Sequence, residues 1–292
     1  MVNSKIITYI SLVLVMLIWG SSFTVTKLVV KDVGPIQFAF TRHLIASVVL
    51  LPFFFRSFSK QSYPSLTKRD YLIITLMGII GIGLYYPVFN LSLQHTSASS
   101  GALIQGTMPM MIAFMGTLFL KERISKMQMV GFAIAFAGIV LVALKGHQSG
   151  NKDGSMLGNF LMLGSVILWS AYTVLSRKLD RLNPITLTAL STFIGTGVLF
   201  LFSFFEDKKL FSGIPMKHWW GILYMGVAGS AVCYLLYNYA LKKLPAAKVG
   251  NFLNLDPIIG AAIAVVFLNE PLSFWMLLAG VLVLTGLLIT NN

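Results

Sequence analysis

Two charged side chains lie deep inside long apolar stretches of the chain. Arg42 lies in the stretch 35–55 and Asp256 in the stretch 246–268. An ionisable group in such a position is a functional candidate by default, because taking a charge out of water is costly. Asp256 could bind a proton or a cationic group, whereas the alternative is a structural ion pair with a basic group such as Arg42.

Two pairs of an aromatic and an amide residue share a four-residue spacing, Tyr86 with Asn90 and Tyr234 with Asn238. Side chains four apart project from one face of a helix. A ring beside an amide can hold an amphipathic solute by stacking and hydrogen bonding. The alternative is that the amides bond neighbouring helices. Because the pairs recur at matched positions in the two halves of the chain, we favour the lining of a substrate cavity.

Further aromatic and amide residues lie at positions suited to the same cavity. Trp169 lies deeper in its apolar stretch than a tryptophan of the membrane interface would. Stacking or cation–π contact with a substrate competes with simple packing as its role. Three amides precede prolines at mid-stretch and offer donors and acceptors. These additional candidates are Trp19, Gln105, Trp169, Tyr172, Asn251 and Asn254.

Pro109 and Pro257 lie near the middle of two apolar stretches. Each removes one backbone hydrogen bond, and an unbroken helix would leave the carbonyl four residues earlier without its usual donor. Kinks at matched depth would serve as rocking hinges or as static bends. Glu122 and Glu270 end the same stretches, where a negative charge opposes the helix dipole. We predict a structural or gating role for both glutamates.

The chain is apolar enough to be embedded in a membrane. Hydrophobic residues make up 57% of the 292 residues, charged residues make up 11%, and the mean hydropathy is +0.82. This composition excludes an ordinary soluble protein. A spanning helix needs about 20 apolar residues. The sequence predicts ten spans, at 6–26, 35–55, 71–93, 98–119, 127–145, 156–176, 184–205, 218–241, 246–268 and 273–290.

The second half of the chain repeats the first at a shift of 148 positions. The matched residues are Tyr86, Asn90, Pro109, Glu122 and Gly138, with Tyr234, Asn238, Pro257, Glu270 and Gly286. Five spans per repeat is an odd number, so the second repeat enters the membrane from the opposite side. The sequence therefore predicts an all-α integral membrane protein of ten transmembrane helices, built from two inverted five-helix repeats, 1–148 and 149–292. Inverted repeats are the structural basis of alternating access.

Charged residues indicate topology and exclude several other classes of protein. Lysine and arginine are roughly twice as frequent in the loops on the side of the amino terminus, which predicts that both termini are cytoplasmic. The net charge of +13 is spread in short runs between apolar stretches, so it does not indicate nucleic-acid binding. The single cysteine, Cys233, and four scattered histidines provide no disulfide and no metal site. Without a phosphate-binding loop of the Walker type, we expect neither ATP nor another cofactor.

The motifs resemble those of the EamA family of the drug/metabolite transporter superfamily over the whole chain, once in each half. They are WGSSF at 19–23, Phe40, Arg42, the run 98–109, FLKE at 119–122, Gly131 and Gly138, then the run 246–257, FLNEP at 267–271, Gly280 and Gly286. The resemblance implies a ten-helix carrier of small organic metabolites, such as amino acids or related amphipathic compounds, often an exporter. It also implies a structural role for Arg42. Asp256 departs from the pattern, since the matched residue of the first half is Met108.

We therefore predict a secondary transporter of the bacterial inner membrane, not an enzyme, that moves a small-molecule substrate across the lipid bilayer by alternating access. Proton coupling through Asp256 is a hypothesis. A passive channel is one alternative, but it would need one continuous polar stripe. An integral membrane enzyme is another, but it would need His, Asp or Glu clustered near one interface.

Overall fold

The computed structural model describes residues 4–60, 66–121, 125–145, 155–206, 214–269 and 273–291, and every regular element within these ranges is helical. The helices of the first half are α1 (Ser4–Val30), α2 (Pro35–Lys60), α3 (Lys68–Gly78), α4 (Tyr85–His95), α5 (Ala98–Gln105), α6 (Met108–Leu120) and α7 (Lys126–Lys145). Those of the second half are α8 (Met156–Lys178), α9 (Pro184–Ser203), α10 (Trp219–Tyr224), α11 (Cys233–Lys243), α12 (Ala246–Phe252), α13 (Leu255–Leu268) and α14 (Phe274–Asn291).

Within the described ranges, eight helical segments are long and apolar enough to cross a membrane. They are Ile6–Val30, Pro35–Ser57, Lys68–His95, Ala98–Leu120, Met156–Lys178, Pro184–Ser203, Met216–Lys243 and Ala246–Leu268. Large apolar side chains such as Ile10 and Val266 lie on the outside of the bundle, with exposed fractions of 62% and 70%, whereas Arg42 and Asn238 are buried. Apolar residues outside and polar residues inside are expected where lipid is the solvent.

Two of these segments contain a π-helical stretch that the sequence did not indicate. Ile79–Leu84 joins α3 to α4, and Met225–Val232 joins α10 to α11. The wider π turn leaves carbonyls available to side chains. In each stretch, one such carbonyl lies within hydrogen-bond distance of an aromatic side chain. Gly229 O accepts a hydrogen bond from Trp19 Nε1 at 2.9 Å, and Gly81 O lies 3.3 Å from Tyr234 OH. The two glycines are matched positions of the two halves.

Two other segments are broken in the middle, and this differs from the kinks predicted at the prolines. α5 ends at Gln105 and α6 restarts at Met108, so Pro109 lies in the first turn of a new helix. A proline there removes no helical hydrogen bond. α12 and α13 are separated in the same way before Pro257. The carbonyl of Leu253, whose usual donor is missing at Pro257, accepts instead from Asp256 N at 3.1 Å.

One end of the bundle, which we call the Asp32 face, carries Asp32 in the turn between α1 and α2. α4 also ends there, since Gln94 Nε2 donates a hydrogen bond to Val30 O at 2.9 Å. α8 begins there, because Ser155 N donates to His95 O at 2.7 Å. α1 therefore ends at the face where α8 begins.

The opposite end, which we call the Asp70 face, carries Asp70 in the first turn of α3. Asp70 forms an ion pair with Arg181, in the turn between α8 and α9, so α8 ends at this face. Helices α1 and α8, which correspond to each other in the two halves, consequently cross the bundle in opposite directions. The broken segments also run antiparallel, since α5 packs against α13 and α6 against α12.

Helices α7 and α14 pack closely against each other through matched small residues. A Cβ atom on Gly138 would lie 2.8 Å from Ala279 O, and one on Gly286 would overlap Gly131 O. The earlier residue of each helix thus contacts the later residue of the other, which makes this pair antiparallel as well. Small residues let helix backbones approach closely in membranes.

Substituting Gly286 with alanine tests this close contact, and Gly280 in the same helix is the matched control. A Cβ on Gly280 would meet only the end of the Leu103 side chain, at 3.6 Å. Relative to Gly280→Ala, we expect Gly286→Ala to lower the free energy of unfolding by about 1–3 kcal/mol, because the two backbones must separate. Thermal unfolding of the purified variants in detergent measures this difference. Equal melting temperatures would contradict the proposed packing.

Candidate functional site

A cavity lies inside the bundle where the broken segments meet α1, α2, α4 and α8. Its volume is about 30 Å³, which holds about one or two water molecules. No amino acid or larger metabolite fits it in this conformation. The residues that line it are Trp19, Ser22, Phe23, Arg42, Tyr85, Tyr86, Phe89, Gln105, Met108, Trp169, Leu253 and Asp256.

Arg42 is held at the cavity by contacts that use only part of its guanidinium group. Nε donates a hydrogen bond to Ser230 Oγ at 3.0 Å. The guanidinium carbon lies 4.5 Å from the centre of the Tyr86 ring and 5.7 Å from that of Phe38. Nη1 is buried and has no hydrogen-bond partner among the described residues. The arginine is therefore firmly positioned and still has a donor to offer.

Asp256 lines the same cavity from the first turn of α13. A carboxylate in the first turn of a helix is favoured by the helix dipole. Its Oδ1 atom is buried and has no hydrogen-bond partner in the described part of the chain. Asp256 forms no ion pair there either, so the pairing with Arg42 that the sequence left open is not formed in this conformation.

Aromatic rings from both halves form part of the cavity wall. Trp19 and Trp169 meet edge to face, with ring centroids 5.0 Å apart. Trp169 also stacks on Tyr172 at 4.9 Å and lies 5.1 Å from Tyr85. Such aromatic pairs contribute beyond their buried area. Both tryptophans reach the cavity lining, whereas Tyr172 supports Trp169 from behind.

The predicted aromatic–amide pairs divide between the cavity and the packing around it. Tyr86 lines the cavity, and its hydroxyl lies 3.2 Å from that of Tyr234, the matched residue. Asn90 donates from Nδ2 to Pro35 O at 2.8 Å, which ties α4 to the start of α2. In this conformation Asn90, Tyr234 and Asn238 do not line the cavity.

Asn238 is the centre of a hydrogen-bond network between α8, α9 and α11. Its Nδ2 donates to Tyr172 OH and to Thr188 Oγ1, both at 2.8 Å, and its Oδ1 accepts from Ser176 Oγ at 2.7 Å. With all three bonds made, the amide has little left for a solute. The structure therefore places Asn238 in the role of interhelical bonding that the sequence offered as the alternative to cavity lining.

The amides near the helix breaks have different surroundings. Gln105 lines the cavity and donates from Nε2 to Ser165 Oγ at 3.0 Å. Asn254 lies in the break before α13, outside the lining, and its buried Oδ1 has no partner among the described residues. The helix is interrupted at Asn254, before Asp256, since α13 begins at Leu255. The Asn251 side chain, Glu122 and Glu270 lie outside the described residues.

The sequence reasoning missed several lining residues, and the repeat itself contained the signal for two of them. Met108 is the matched residue of Asp256, and Leu253 is that of Gln105. All four line one cavity, as residues related by a two-fold axis through that cavity would. Comparing both members of each matched pair would therefore have identified Met108 and Leu253.

Comparisons with known proteins agree with this architecture. The sequence profile of the EamA-like transporter family matches the chain twice, over residues 6–144 and 156–292. The chain belongs to the EamA-like transporter family. An uncharacterized transporter of Archaeoglobus fulgidus is 30% identical, over 99% of this chain and 98% of its own length. The uncharacterized transporter YetK of Bacillus subtilis is 29% identical, over 99% of this chain and 88% of its own length.

This EamA-like protein is a membrane transporter, and its helical bundle is embedded in the lipid bilayer. Its fold also matches a crystal structure with a TM-score of 0.70 and 15% sequence identity, over 98% of this chain and 96% of that one. The family places the function in transport rather than catalysis. A small-molecule substrate must therefore pass through the bundle, and the cavity between the two halves is the candidate site.

Replacing Asn238 with alanine tests its assignment to helix packing. The change leaves Tyr172, Thr188 and Ser176 without their common partner, so we expect a loss of about 1–3 kcal/mol in the free energy of unfolding. Asn90→Ala, at the matched position, removes one bond and should cost less. Thermal unfolding in detergent measures both effects. A stable Asn238→Ala variant with altered substrate preference would instead place Asn238 in the binding site.

Proposed function

We propose that this EamA-like protein is a secondary transporter that exports small organic metabolites, such as amino acids or related amphipathic compounds, by alternating access. The observation that carries the proposal is a small polar and aromatic cavity at the crossing of two broken helical segments. Discontinuous helices at mid-membrane are typical of substrate sites in secondary transporters. The aromatic and polar lining suits an amphipathic solute.

We further propose ten transmembrane helices in two inverted five-helix units, 1–148 and 149–292. The opposite directions of α1 and α8 support this arrangement, as do the antiparallel packing of α7 with α14 and of α5 with α13. The excess of lysine and arginine supports a cytoplasmic location for the Asp70 face and for both termini. We place the protein in a bacterial inner membrane.

Ion pairs at the two faces would serve as alternate latches. On the Asp70 face, Asp70 pairs with Arg181. On the Asp32 face, Lys217 Nζ lies 2.6 Å and His218 Nε2 lies 2.7 Å from Asp32 Oδ2. Hydrogen bonds from Lys217 and His218 lower the pKa of Asp32 to about 2. Asp32 therefore stays ionised at physiological pH, and this latch is lost only when the pH falls from about 4 towards 2.

His218 is the matched residue of Asp70, and both lie near the start of corresponding spans on opposite faces. Each forms an ion pair with a residue of the other half of the chain. Opening one face would break one set of pairs while the other set keeps the opposite face closed. Pro109 and Pro257, at the starts of α6 and α13, would permit the half-helices to move, and we retain gating roles for Glu122 and Glu270.

Counterflow in proteoliposomes tests the proposed function. Vesicles loaded with unlabelled neutral amino acids are diluted into the same amino acids in labelled form. We expect a saturable, transient overshoot of labelled uptake. A carrier exchanges labelled for unlabelled solute faster than the label equilibrates across the membrane. Trp169→Ala should abolish the overshoot, whereas Trp275→Ala in α14, outside the cavity lining, should retain it. Equilibration without overshoot would indicate a channel, and no uptake above protein-free vesicles would exclude these substrates.

The same assay at two pH values addresses proton coupling. Asp256 is the carboxylate that lines the cavity, so coupled proton exchange would pass through it. We expect the pH dependence of counterflow to be lost in Asp256→Asn. An unchanged pH profile in this variant would remove Asp256 from any coupling mechanism while leaving the carrier function intact.

Cysteine labelling tests the inverted arrangement. Lys31 and Lys178 are exposed at corresponding ends of α1 and α8. In a Cys233→Ala background, a membrane-impermeant maleimide should modify Lys31→Cys in intact cells and Lys178→Cys only after permeabilisation. Modification of both from outside would indicate parallel repeats. Modification of Lys178→Cys alone would reverse the proposed orientation.

A further inference from the structure

Two oppositely charged side chains line one small cavity and each keeps a buried polar atom without a partner. These atoms are Nη1 of Arg42 and Oδ1 of Asp256, and neither residue forms an ion pair among the described residues. Buried charged groups are normally paired, because leaving one unpaired costs several kcal/mol. The cavity could therefore accommodate one negative group beside Arg42 and one positive group beside Asp256.

Local contacts position each charge, and the two form no ion pair with each other. Ser230 and the ring of Tyr86 hold the Arg42 guanidinium in α2. Asp256 is held by the first turn of α13, where its own backbone N–H bonds to Leu253 O. Tyr85 lines the same cavity as both charges. Positive and negative groups therefore stand at separate, fixed points of one lining.

We propose that the cavity binds a zwitterion, with Arg42 taking the carboxylate and Asp256 taking the ammonium group of an amino acid with an uncharged side chain. The inference rests on the proposed transport function and specifies its substrate class. An arginine guanidinium matches the planar geometry of a carboxylate. An ammonium group beside Asp256 would neutralise the second charge, so that one ligand satisfies both orphaned atoms.

The rest of the lining defines the side chain of this ligand. Among the described residues, the lining contains no charged residue besides Arg42 and Asp256, and Trp19, Trp169 and Phe23 contribute aromatic rings. A lysine or glutamate side chain would bring a charge without a counter-charge, which is costly away from water. Apolar and aromatic side chains are therefore favoured. The small volume requires that binding opens the cavity, as alternating access demands.

Three probes with the same phenyl group separate the two charges. L-Phenylalanine carries both charges, phenethylamine carries only the ammonium group, and 3-phenylpropionate carries only the carboxylate. Their Kd values are measured from thermal stabilisation of the purified full chain. We expect phenylalanine to bind the wild-type protein most tightly, by about 10- to 100-fold over either analogue, because each lost charged contact removes one charge-assisted hydrogen bond.

The variants should each affect one charge. Asp256→Asn should raise the Kd of phenylalanine and of phenethylamine by about 10-fold or more, and it should leave the Kd of 3-phenylpropionate unchanged. Arg42→Gln should raise the Kd of phenylalanine and of 3-phenylpropionate and leave the Kd of phenethylamine unchanged. Where Arg42→Gln does not fold, Ser230→Ala displaces the guanidinium and should shift the same two probes. Asp180→Asn, which removes an exposed carboxylate paired with Arg177, is the matched control and should change none of them.

Several outcomes would overturn the assignment. One is an equal rise in the Kd of all three probes in either variant. Another is that the wild-type protein binds phenethylamine as tightly as phenylalanine. Counterflow of a singly charged or uncharged solute, with no stabilisation by phenylalanine or leucine, would also overturn it while leaving the carrier function standing. Loss of all counterflow with intact, charge-selective phenylalanine binding would instead remove the proposed function and leave the zwitterion site.

Discussion

Inside a lipid bilayer a backbone polar group finds no water, so the bundle itself must supply a partner for the backbone groups that are not in a regular helix. This constraint governs where the helices of this protein are interrupted. The two π-helical stretches expose the carbonyls of Gly81 and Gly229, and aromatic side chains from the opposite half approach both. The broken segments restart at prolines, whose missing N–H falls where no helical bond is required. Each irregularity is thereby placed where another element satisfies it.

Matched positions of the two halves share backbone features, but their side chains make different contacts. Lys121 and Asn269 both adopt left-handed conformations after α6 and α13, and the π-helical stretches coincide. In contrast, Asn90 makes one bond to the start of α2, while Asn238 joins three helices. Met108 is apolar where Asp256 is charged. The shared backbone explains the fold, and the divergence at Met108 and Asp256 makes the cavity electrostatically asymmetric.

Helix positions followed from the sequence because apolar length determines a membrane span almost independently of its neighbours. Trp19, Trp169, Tyr86, Gln105, Arg42 and Asp256 are candidate site residues from the sequence, and all six line the cavity. The division between Asn90, Asn238 and Gln105 could not be predicted, since an amide bonds whichever donor or acceptor tertiary packing brings within 3 Å.

The closed cavity and the pairs at the two faces depend on each other. Trp19 and Trp169 come from helices that cross the bundle in opposite directions, and their contact at 5.0 Å joins the halves at the level of the cavity. A tilt of one half against the other would separate these rings and enlarge the cavity. The same tilt would stretch the pairs on one face, Asp32 with Lys217 and His218 or Asp70 with Arg181, and compress the other. Opening to both sides at once would require losing both sets of pairs together with the aromatic contact, which is consistent with the alternating access that we propose.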